Sequence, residues 1–374
     1  MDLKELRLKN FRNYPFLHLN FSSKINFIVG DNGIGKTNIL EAIAILANTK
    51  SFRATADSEI IKWGETFYHC SALVKDEENF LLEVGCEINF NKLRKRVKIN
   101  EQPVTKGKDF FGKLIIVVFA PQDIDLIHGW PELRRKFFDK AWSKIDNSYL
   151  VALLDFKKAL TARNKILKLW KTGEKKEQNQ LDLWSEIFVQ KSINLLKKRV
   201  DYLKRFKTFF KKYYLAISEE KFSPEIVYTS SLNSLEAALS NPVNFLKELQ
   251  EIEKKEKLLG VTLKGPQRDD YLFCNPQKRK LVDYASQGQK RMTAISIKMA
   301  ENKMIEEDKN CQALILVDDI FSELDVKRKD KMIQFLTQGN QIFFTMANFK
   351  EKELKPFGER KVFSITSPGQ IIEL

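Results

Sequence analysis

The sequence contains little cysteine and little histidine, which limits the chemistry it can support. Its four cysteines, Cys70, Cys86, Cys274 and Cys311, form no CxxC pair, so neither a zinc knuckle nor a disulfide framework is indicated. We expect these thiols to be reduced and mostly buried. With three histidines in 374 residues, a His-rich metal site or a Ser/His/Asp triad has little support. Any chemistry should therefore depend on carboxylates, lysines and the backbone.

Long apolar runs are missing as well. We find no stretch of about 18 or more apolar residues, no signal peptide and no lipidation motif, so the sequence predicts a cytoplasmic protein without a membrane partner. Hydrophobic residues make up 43% and charged residues 30%, as in folded globular proteins. Because single cores usually stop growing near about 250–300 residues, the chain length favours a main domain that carries an insertion.

Positive charge is in excess. The 64 Lys and Arg residues outnumber the 49 Asp and Glu residues, which leaves a net charge of +15. Such an excess attracts polyanions through long-range fields. Nucleic acid is the first partner to consider, and a basic membrane-surface protein is the alternative.

Hydrophobic periodicity predicts an α/β domain, in residues 1–130 and 259–374, interrupted by a helical insertion in residues 131–258. The helices of the insertion are expected to be about 20 to 25 residues long. Strands are predicted at 3–19 (as a pair), 25–29, several places between 66 and 100, 113–119, 261–263, 271–274, 314–317 and 341–345.

A phosphate-binding loop is the strongest motif. Residues 30–37 fit GxxxxGK[ST] between a predicted strand and a predicted helix that begins at Lys36, which is the context this Walker A motif requires. Backbone N–H groups and the helix N-terminus would hold ATP phosphates, Lys36 would reach the β and γ oxygens, and Thr37 would ligate Mg²⁺. The predicted ATP-binding residues here are Gly30, Asp31, Asn32, Gly33, Ile34, Gly35, Lys36 and Thr37.

A second motif completes such a site. Residues 313–319 form an apolar strand that ends in two acids, the arrangement of a Walker B motif. Asp318 is the predicted magnesium residue and Asp319 the predicted catalytic base. The two motifs are much further apart in the chain than in simple P-loop enzymes, and this wide separation is typical of ABC-type ATPases.

A third motif precedes the Walker B strand. Ser286 and Gln289 form an S-x-x-Q capping-box pair, which predicts the N-terminus of a helix at Ser286. A capping box alone is usually structural, but in this position Ser286, Gln287, Gly288 and Gln289 match an ABC signature. In that architecture the signature faces the ATP of a second protomer. Ser322 and Asp325, just after Walker B, match a D-loop at the same interface.

Together these segments resemble the RecF family over essentially the whole chain. The resemblance is carried by residues 31–37 (DNGIGKT), 51–53 (SFR), 119–123 (FAPQD), 265–270 (GPQRDD), 286–289 (SQGQ) and 318–325 (DDIFSELD). It implies an ABC-type ATPase head, that is, a P-loop NTPase fold with mixed sheets and a helical lid. In this fold 1–130 would carry Walker A, and 259–374 the signature, Walker B and D-loop.

The resemblance also implies a function and further site residues. It implies a weak, DNA-dependent ATPase that forms an ATP-dependent homodimer on single-stranded, duplex or gapped DNA and works with RecO and RecR to load RecA. The resemblance further implies roles in DNA repair, replication restart and the SOS response. Gln122 matches the Q-loop, so it is predicted to bind Mg²⁺ and to be catalytic, as Lys36 is. Arg53 is a predicted ATP-binding residue. Gln267 replaces a usual His, and Thr345 occupies the switch position.

A basic helix is predicted at residues 191–212, with an apolar stripe and nine basic residues against one acid, Asp201. Such a face is commonly only solvated, but the net charge favours contact with DNA phosphates rather than base readout. The predicted contacts are Lys197, Lys198, Arg199, Lys204 and Arg205; further candidates lie at 94–98, 134–136 and 327–329.

Two alternatives remain at this point. An SMC-type chromosome-organising head would need a far longer coiled coil between its motifs. A transporter ATPase subunit would bind membrane subunits and have little affinity for DNA.

Overall fold

The computed structural model describes residues 1–90, 92–105, 107–174, 177–347, 358–367 and 369–374. They form two compact units, Met1–Asp123 with Ile305–Leu374, and Ile124–Met304. We call these the nucleotide unit and the helical unit. Within the described chain, no helix has the length and apolar character that a bilayer crossing demands.

Most described strands lie in the nucleotide unit, and most described helices lie in the helical unit. The strands are β1 (Asp2–Phe11), β2 (Tyr14–Asn20), β3 (Ile25–Val29), β4 (Phe67–Lys75), β5 (Asn79–Asn89), β6 (Lys92–Ile99), β7 (Gln102–Pro103), β8 (Ile116–Phe119), β9 (Glu225–Thr229), β10 (Asp270–Cys274), β11 (Leu314–Asp318), β12 (Ile342–Met346), β13 (Arg360–Ser367) and β14 (Gln370–Glu373). The helices are α1 (Lys36–Asn48), α2 (Gly107–Phe110), α3 (Asp125–His128), α4 (Pro131–Ile145), α5 (Asn147–Thr172), α6 (Gln178–Ser218), α7 (Leu235–Ser240), α8 (Pro242–Leu259), α9 (Leu281–Tyr284), α10 (Gln287–Lys309) and α11 (Val326–Leu336).

An antiparallel sheet covers one side of the nucleotide unit's core, in the order β2-β1-β4-β5-β6-β7. Its strands alternate between buried and exposed residues, as expected when one sheet face meets the core and the other meets water. The predicted strand pair at 3–19 and the predicted antiparallel strands between 66 and 100 are confirmed.

The second sheet of the nucleotide unit is mostly parallel, in the order β14-β13-β3-β12-β11-β8. Strands β3, β11 and β12 are buried at every residue, because parallel strands are covered on both faces and therefore read as continuous apolar runs. These predicted strands are confirmed. Their carboxyl ends meet at one edge, where ligands of open α/β sheets bind.

The helical unit is built mainly from α4, α5, α6 and α8. The predicted helix length of 20 to 25 residues is wrong for α6, which has 41 residues. Its apolar stripe continues from Leu181 to Ile217, and no Gly or Pro interrupts it. Phe188 of this helix packs against Phe156 of α5 and Phe245 of α8, with ring centroids 5.9 Å apart in each case.

The units do not divide at the predicted residue 258. The predicted strand at 261–263 is wrong, because Thr262 bonds to the Asn164 side chain of α5 instead of a neighbouring strand. The predicted strand at 271–274 is confirmed as β10, which pairs with β9. Residues up to Met304 therefore group with the helical unit.

Candidate functional site

The phosphate-binding loop follows β3 and depends on three glycines. Gly30, Gly33 and Gly35 have φ angles of 150°, 81° and 118°, a region that residues with a Cβ rarely adopt. A Cβ on Gly35 would also lie 2.5 Å from Asn13 Nδ2. That amide donates to Ile34 O at 2.8 Å, so the turn between β1 and β2 supports the loop from behind.

Lys36 is buried within the loop. Its Nζ donates to Gly30 O at 2.8 Å and to Asp31 O at 2.9 Å. Burial lowers the pKa of Lys36, and the carboxylates of Asp319, Asp318 and Asp31 act in the opposite direction. The ammonium group therefore lies near acidic side chains and bonds to carbonyls that phosphate oxygens could replace.

The carboxyl ends of the parallel strands β11 and β12 and the N-terminal turn of α1 meet at Asp318. Thr37 Oγ1, from the start of α1, donates to Asp318 Oδ1 at 2.7 Å. Thr345 Oγ1, from the end of β12, donates to the same oxygen at 2.8 Å and accepts a bond from Asp319 N at 3.0 Å. The sequence motifs that are far apart in the chain are thus joined by hydrogen bonds.

Asp319 and the predicted D-loop follow directly. Asp319 has a φ of 48°, an unusual value for a residue other than glycine, and it precedes the 3₁₀-helix Ile320–Glu323, which contains Ser322. Asp325 accepts a bond from Arg328 N at 3.0 Å and caps α11. In this structure the Asp325 carboxylate therefore stabilises a helix start, a role that the sequence-based reading missed.

The oxygen donors at this edge fit Mg²⁺. The hydroxyl of Thr37 and the carboxylate of Asp318 are hard oxygen ligands, which this cation prefers. Gln122 lies in the 3₁₀-helix Pro121–Ile124 that follows β8, a strand of the same sheet. Its side chain is exposed and takes no part in the hydrogen bonds that join Thr37, Asp318 and Thr345.

Arg53 is exposed on a loop that buried polar groups hold in place. Ser51 Oγ accepts bonds from Arg53 N at 2.8 Å and Ala54 N at 2.7 Å, and it donates to the fully buried Glu41. Arg12 binds both oxygens of Glu41, at 2.9 and 2.7 Å. The sequence-based reading missed Arg12 and Glu41, since no local pattern links residues so far apart.

The predicted signature lies in the helical unit and starts α10. The capping box is confirmed: Gln289 N donates to Ser286 Oγ at 3.2 Å, and Ser286 N donates to Gln289 Oε1 at 3.0 Å. Ser286 and Gln287 are exposed, while Gly288 and Gln289 are half-buried. The first turn of this helix can therefore be reached by a ligand.

The segment 265–270 is part of a buried polar network in the helical unit. Asp269 is fully buried and accepts bonds from the Tyr228 hydroxyl and from Ser231 N, while burial raises the pKa of its carboxyl group. Asp270 binds Arg134 through two bonds of 2.7 and 2.8 Å. Gln267 Nε2 donates to Lys264 O at 3.0 Å, inside the same loop. These contacts indicate a structural function for the segment.

The structure corrects one predicted DNA contact on α6. Arg199 is only 2% exposed, and its guanidinium binds Asp139 at 2.9 Å and Pro266 O at 2.8 Å. The prediction that Arg199 contacts DNA is therefore wrong, because the helix turns this residue into the interior. Arg134, among the further candidates, is 6% exposed and has its partner in Asp270.

The other predicted contacts on α6 are accessible to different degrees. Lys197, Lys204 and Arg205 are exposed. Lys198 is half-buried, and its Nζ lies 2.6 Å from Ser148 Oγ and 3.3 Å from Asp146. The exposed positions form a basic surface of the kind that phosphate backbones bind.

Comparisons with known proteins agree with this geometry. A family model described as the RecF/RecN/SMC N-terminal domain matches residues 2–367. Proteins described as "DNA replication and repair protein RecF" are 32% identical in Bacillus mycoides and 33% identical in Bacillus cereus, over 369 residues that cover 98% of this chain and 97% of each relative.

Solved structures give the same result. A structure of the recombination mediator protein RecF with ATP, from the RecFOR pathway, matches with a TM-score of 0.90 and 30% identity over 100% of this chain and 97% of that chain. An SMC head domain from Pyrococcus furiosus matches with a TM-score of 0.57 and 17% identity, covering 100% of this chain and 96% of that one, and therefore shares the fold.

Proposed function

Because this chain belongs to the RecF family, within the ABC- and SMC-type ATPases, we propose that it is an ATP-driven, DNA-binding protein of recombinational repair and replication restart. It binds single-stranded or gapped DNA as a dimeric clamp and helps to load RecA, with RecO and RecR as partners and SOS induction as a result. The observation that carries this proposal is the hydrogen-bonded group of Thr37, Asp318 and Thr345 behind a complete Walker A loop.

ATP would bind along the loop from Gly30 to Thr37. Backbone N–H groups hold the phosphates, and Lys36 exchanges its two carbonyl acceptors for β and γ oxygens. Arg53 contacts the nucleotide from the adjoining loop. Thr37, Asp318 and Gln122 would hold Mg²⁺, which would neutralise phosphate charge.

Asp319 would act on the attacking water. Its backbone is held by the bond from Asp319 N to Thr345 Oγ1 at 3.0 Å. Its carboxylate acts to raise the pKa of Lys36, which favours a location near the γ-phosphate. Asp319 accepts the proton of the water as the water attacks phosphorus, and Gln122 orients that water. Lys36 stabilises the negative charge that develops on the phosphoryl oxygens. ADP and phosphate then leave the site. Hydrolysis, which is slow and DNA-dependent, thereby switches the protein from the ATP-bound to the ATP-free state.

The site would be completed by a second subunit. The signature residues Ser286, Gln287, Gly288 and Gln289 of one protomer face the γ-phosphate bound by the other, since the N-terminus of α10 favours an anion. Ser322 and Asp325 line the same interface. ATP thereby joins two subunits around DNA, and its hydrolysis releases them.

This proposal is tested by light scattering of an Asp319→Asn variant, which should bind ATP without hydrolysing it. With Mg²⁺ and ATP the mass should double from the 43.6 kDa of one chain, and gapped duplex DNA should join the dimer. Lys36→Ala in the same background is the control and should stay monomeric. If the Asp319→Asn protein remains monomeric with ATP and DNA, the proposed clamp is contradicted.

A chromosome-organising head or a transporter subunit is less favoured than this function. Relatives described as RecF align over 98% of the chain, whereas the SMC head shares only the fold.

A further inference from the structure

The signature motif is bonded to the end of the longest helix. Glu220, two residues after α6, accepts a bond from Gln289 Nε2 at 3.1 Å through its Oε1 atom. Its other oxygen, Oε2, accepts a bond from the Tyr214 hydroxyl at 3.0 Å, and Tyr214 is 1% exposed. Glu220 N donates to Ser218 Oγ at 3.2 Å. Both oxygens of this carboxylate and its backbone are therefore held in place.

The carboxylate determines which way the Gln289 amide points. A side-chain amide has one face that donates and one that accepts, and a carboxylate can only accept. Glu220 therefore turns the NH₂ group of Gln289 towards itself, which leaves Gln289 Oε1 to accept from Ser286 N at 3.0 Å. The reverse orientation would place two acceptors against each other and two donors against each other. The orientation of the capping box thus follows from a residue outside the motif.

We propose that Glu220 is a positioning residue for the signature motif, which fixes Gln289 and through it the backbone of Ser286 for contact with the γ-phosphate of a second subunit. This inference rests on the proposed function above. Glu220 bonds both to Tyr214 of α6 and to Gln289 of the signature motif. It therefore also connects α6, which carries the exposed Lys197 and Lys204, to the proposed ATP-dependent interface.

The test compares Glu220→Ala with wild type and with Glu251→Ala, which alters an exposed acid on α8. All are studied with a non-hydrolysable ATP analogue. Glu220→Ala should weaken dimerisation by about tenfold or more, as expected for loss of a charge-assisted hydrogen bond. The affinity of the monomer for a fluorescent ATP analogue should stay within about twofold of wild type, because Walker A is untouched. Glu251→Ala should match wild type in both assays.

Further variants separate positioning from simple loss of structure. Glu220→Gln keeps one acceptor and should recover part of the dimerisation, and Tyr214→Phe, which only loosens Glu220, should have a smaller effect than Glu220→Ala. Since Glu220 acts through Gln289, the double variant Glu220→Ala, Gln289→Ala should dimerise no more weakly than Gln289→Ala alone.

The two levels of the proposal fail in different ways. If Glu220→Ala dimerises as well as wild type, the positioning role of Glu220 is overturned but the proposed function is not. The same holds if the double variant dimerises more weakly than Gln289→Ala. A wild-type protein that does not dimerise with the ATP analogue would overturn the proposed function together with this inference.

Discussion

Arg199 shows how one residue of a basic helix can serve stability instead of binding. Its guanidinium lies between Asp139 and Pro266 O in the interior of the helical unit, and Tyr149 also donates to Asp139. Removal of the arginine would leave the buried Asp139 carboxylate without its cation.

We therefore expect Arg199→Met to destabilise the protein by about 3–5 kcal/mol, the usual cost of breaking a buried ion pair. Urea unfolding of the variant measures this loss. Lys197→Met, on an exposed position two residues earlier, is the matched control and should unfold at the wild-type midpoint. Equal midpoints for the two variants would contradict the structural role of Arg199.

Glu301 is a buried carboxylate with two cations. Its oxygens lie 2.6 Å from Lys144 Nζ and 2.7 Å from Lys298 Nζ. Burial acts to raise the pKa of Glu301, but the attraction of Lys144 and Lys298 outweighs it and lowers the pKa to about 2. The folded-state pKa is thus below the value of about 4.3 in an unfolded chain.

This difference predicts a pH dependence of stability. A depressed carboxyl pKa stabilises the fold at pH values above the unfolded pKa, and the contribution is lost as the pH falls from about 4 towards 2. Glu301→Gln should lower the melting temperature at pH 7. The difference in melting temperature between the variant and wild type should become smaller below about pH 4. Glu251→Gln, an exposed control, should follow wild type. A gap that is independent of pH would refute the ion-pair explanation.

On the scale of elements, α6 combines a buried stripe with a basic outer face. Lys197 and Lys204 project from the exposed positions of this helix. The slope of log K against log salt is negative, and each phosphate contact that is lost should reduce its magnitude by about 1 and weaken binding similarly for all sequences. We expect Lys197→Ala with Lys204→Ala to reduce the magnitude of the slope by about 2 without a change in melting temperature.

Fluorescence anisotropy with gapped DNA at several salt concentrations measures this slope. Lys254→Ala with Lys255→Ala, which removes two exposed charges from α8, gives a control of equal net charge. If both double variants reduce the slope equally, the general field of the protein, rather than α6, attracts the DNA.

Elements with strong local patterns were predicted well from sequence. Walker A, Walker B and the capping box are patterns of neighbouring residues. The strands β3, β11 and β12 consist mostly of apolar residues, and their predicted positions are confirmed. The short strand β9 was not predicted, because its Glu225–Thr229 segment pairs with β10 some 40 residues away. The same holds for the bond between Glu220 and Gln289, which no spacing rule could indicate.

On the scale of the whole molecule, the net charge of +15 predicts binding that salt weakens steeply. A clamp that contacts about 6–10 phosphates should lose about 10³–10⁵-fold in affinity between 50 and 200 mM salt. The experiment compares two unrelated DNA sequences with ATP present. Parallel salt curves are expected, since backbone contacts carry no sequence information; a curve that depends on sequence would indicate base readout.

The order of strands in the parallel sheet has a consequence for how the protein is made. Strand β3, which leads into the ATP loop, pairs with β12 on one side and β13 on the other. Both neighbours follow β3 only after a long intervening stretch of chain, so a growing polypeptide on the ribosome displays the glycine loop long before β3 is paired. Asp318 and Thr345, which complete the site, are also translated long after the glycine loop. A nascent chain therefore completes this site only after β11 and β12 have been synthesised, and fragments that lack these two strands would not compete with the full-length protein for nucleotide or for a dimer partner.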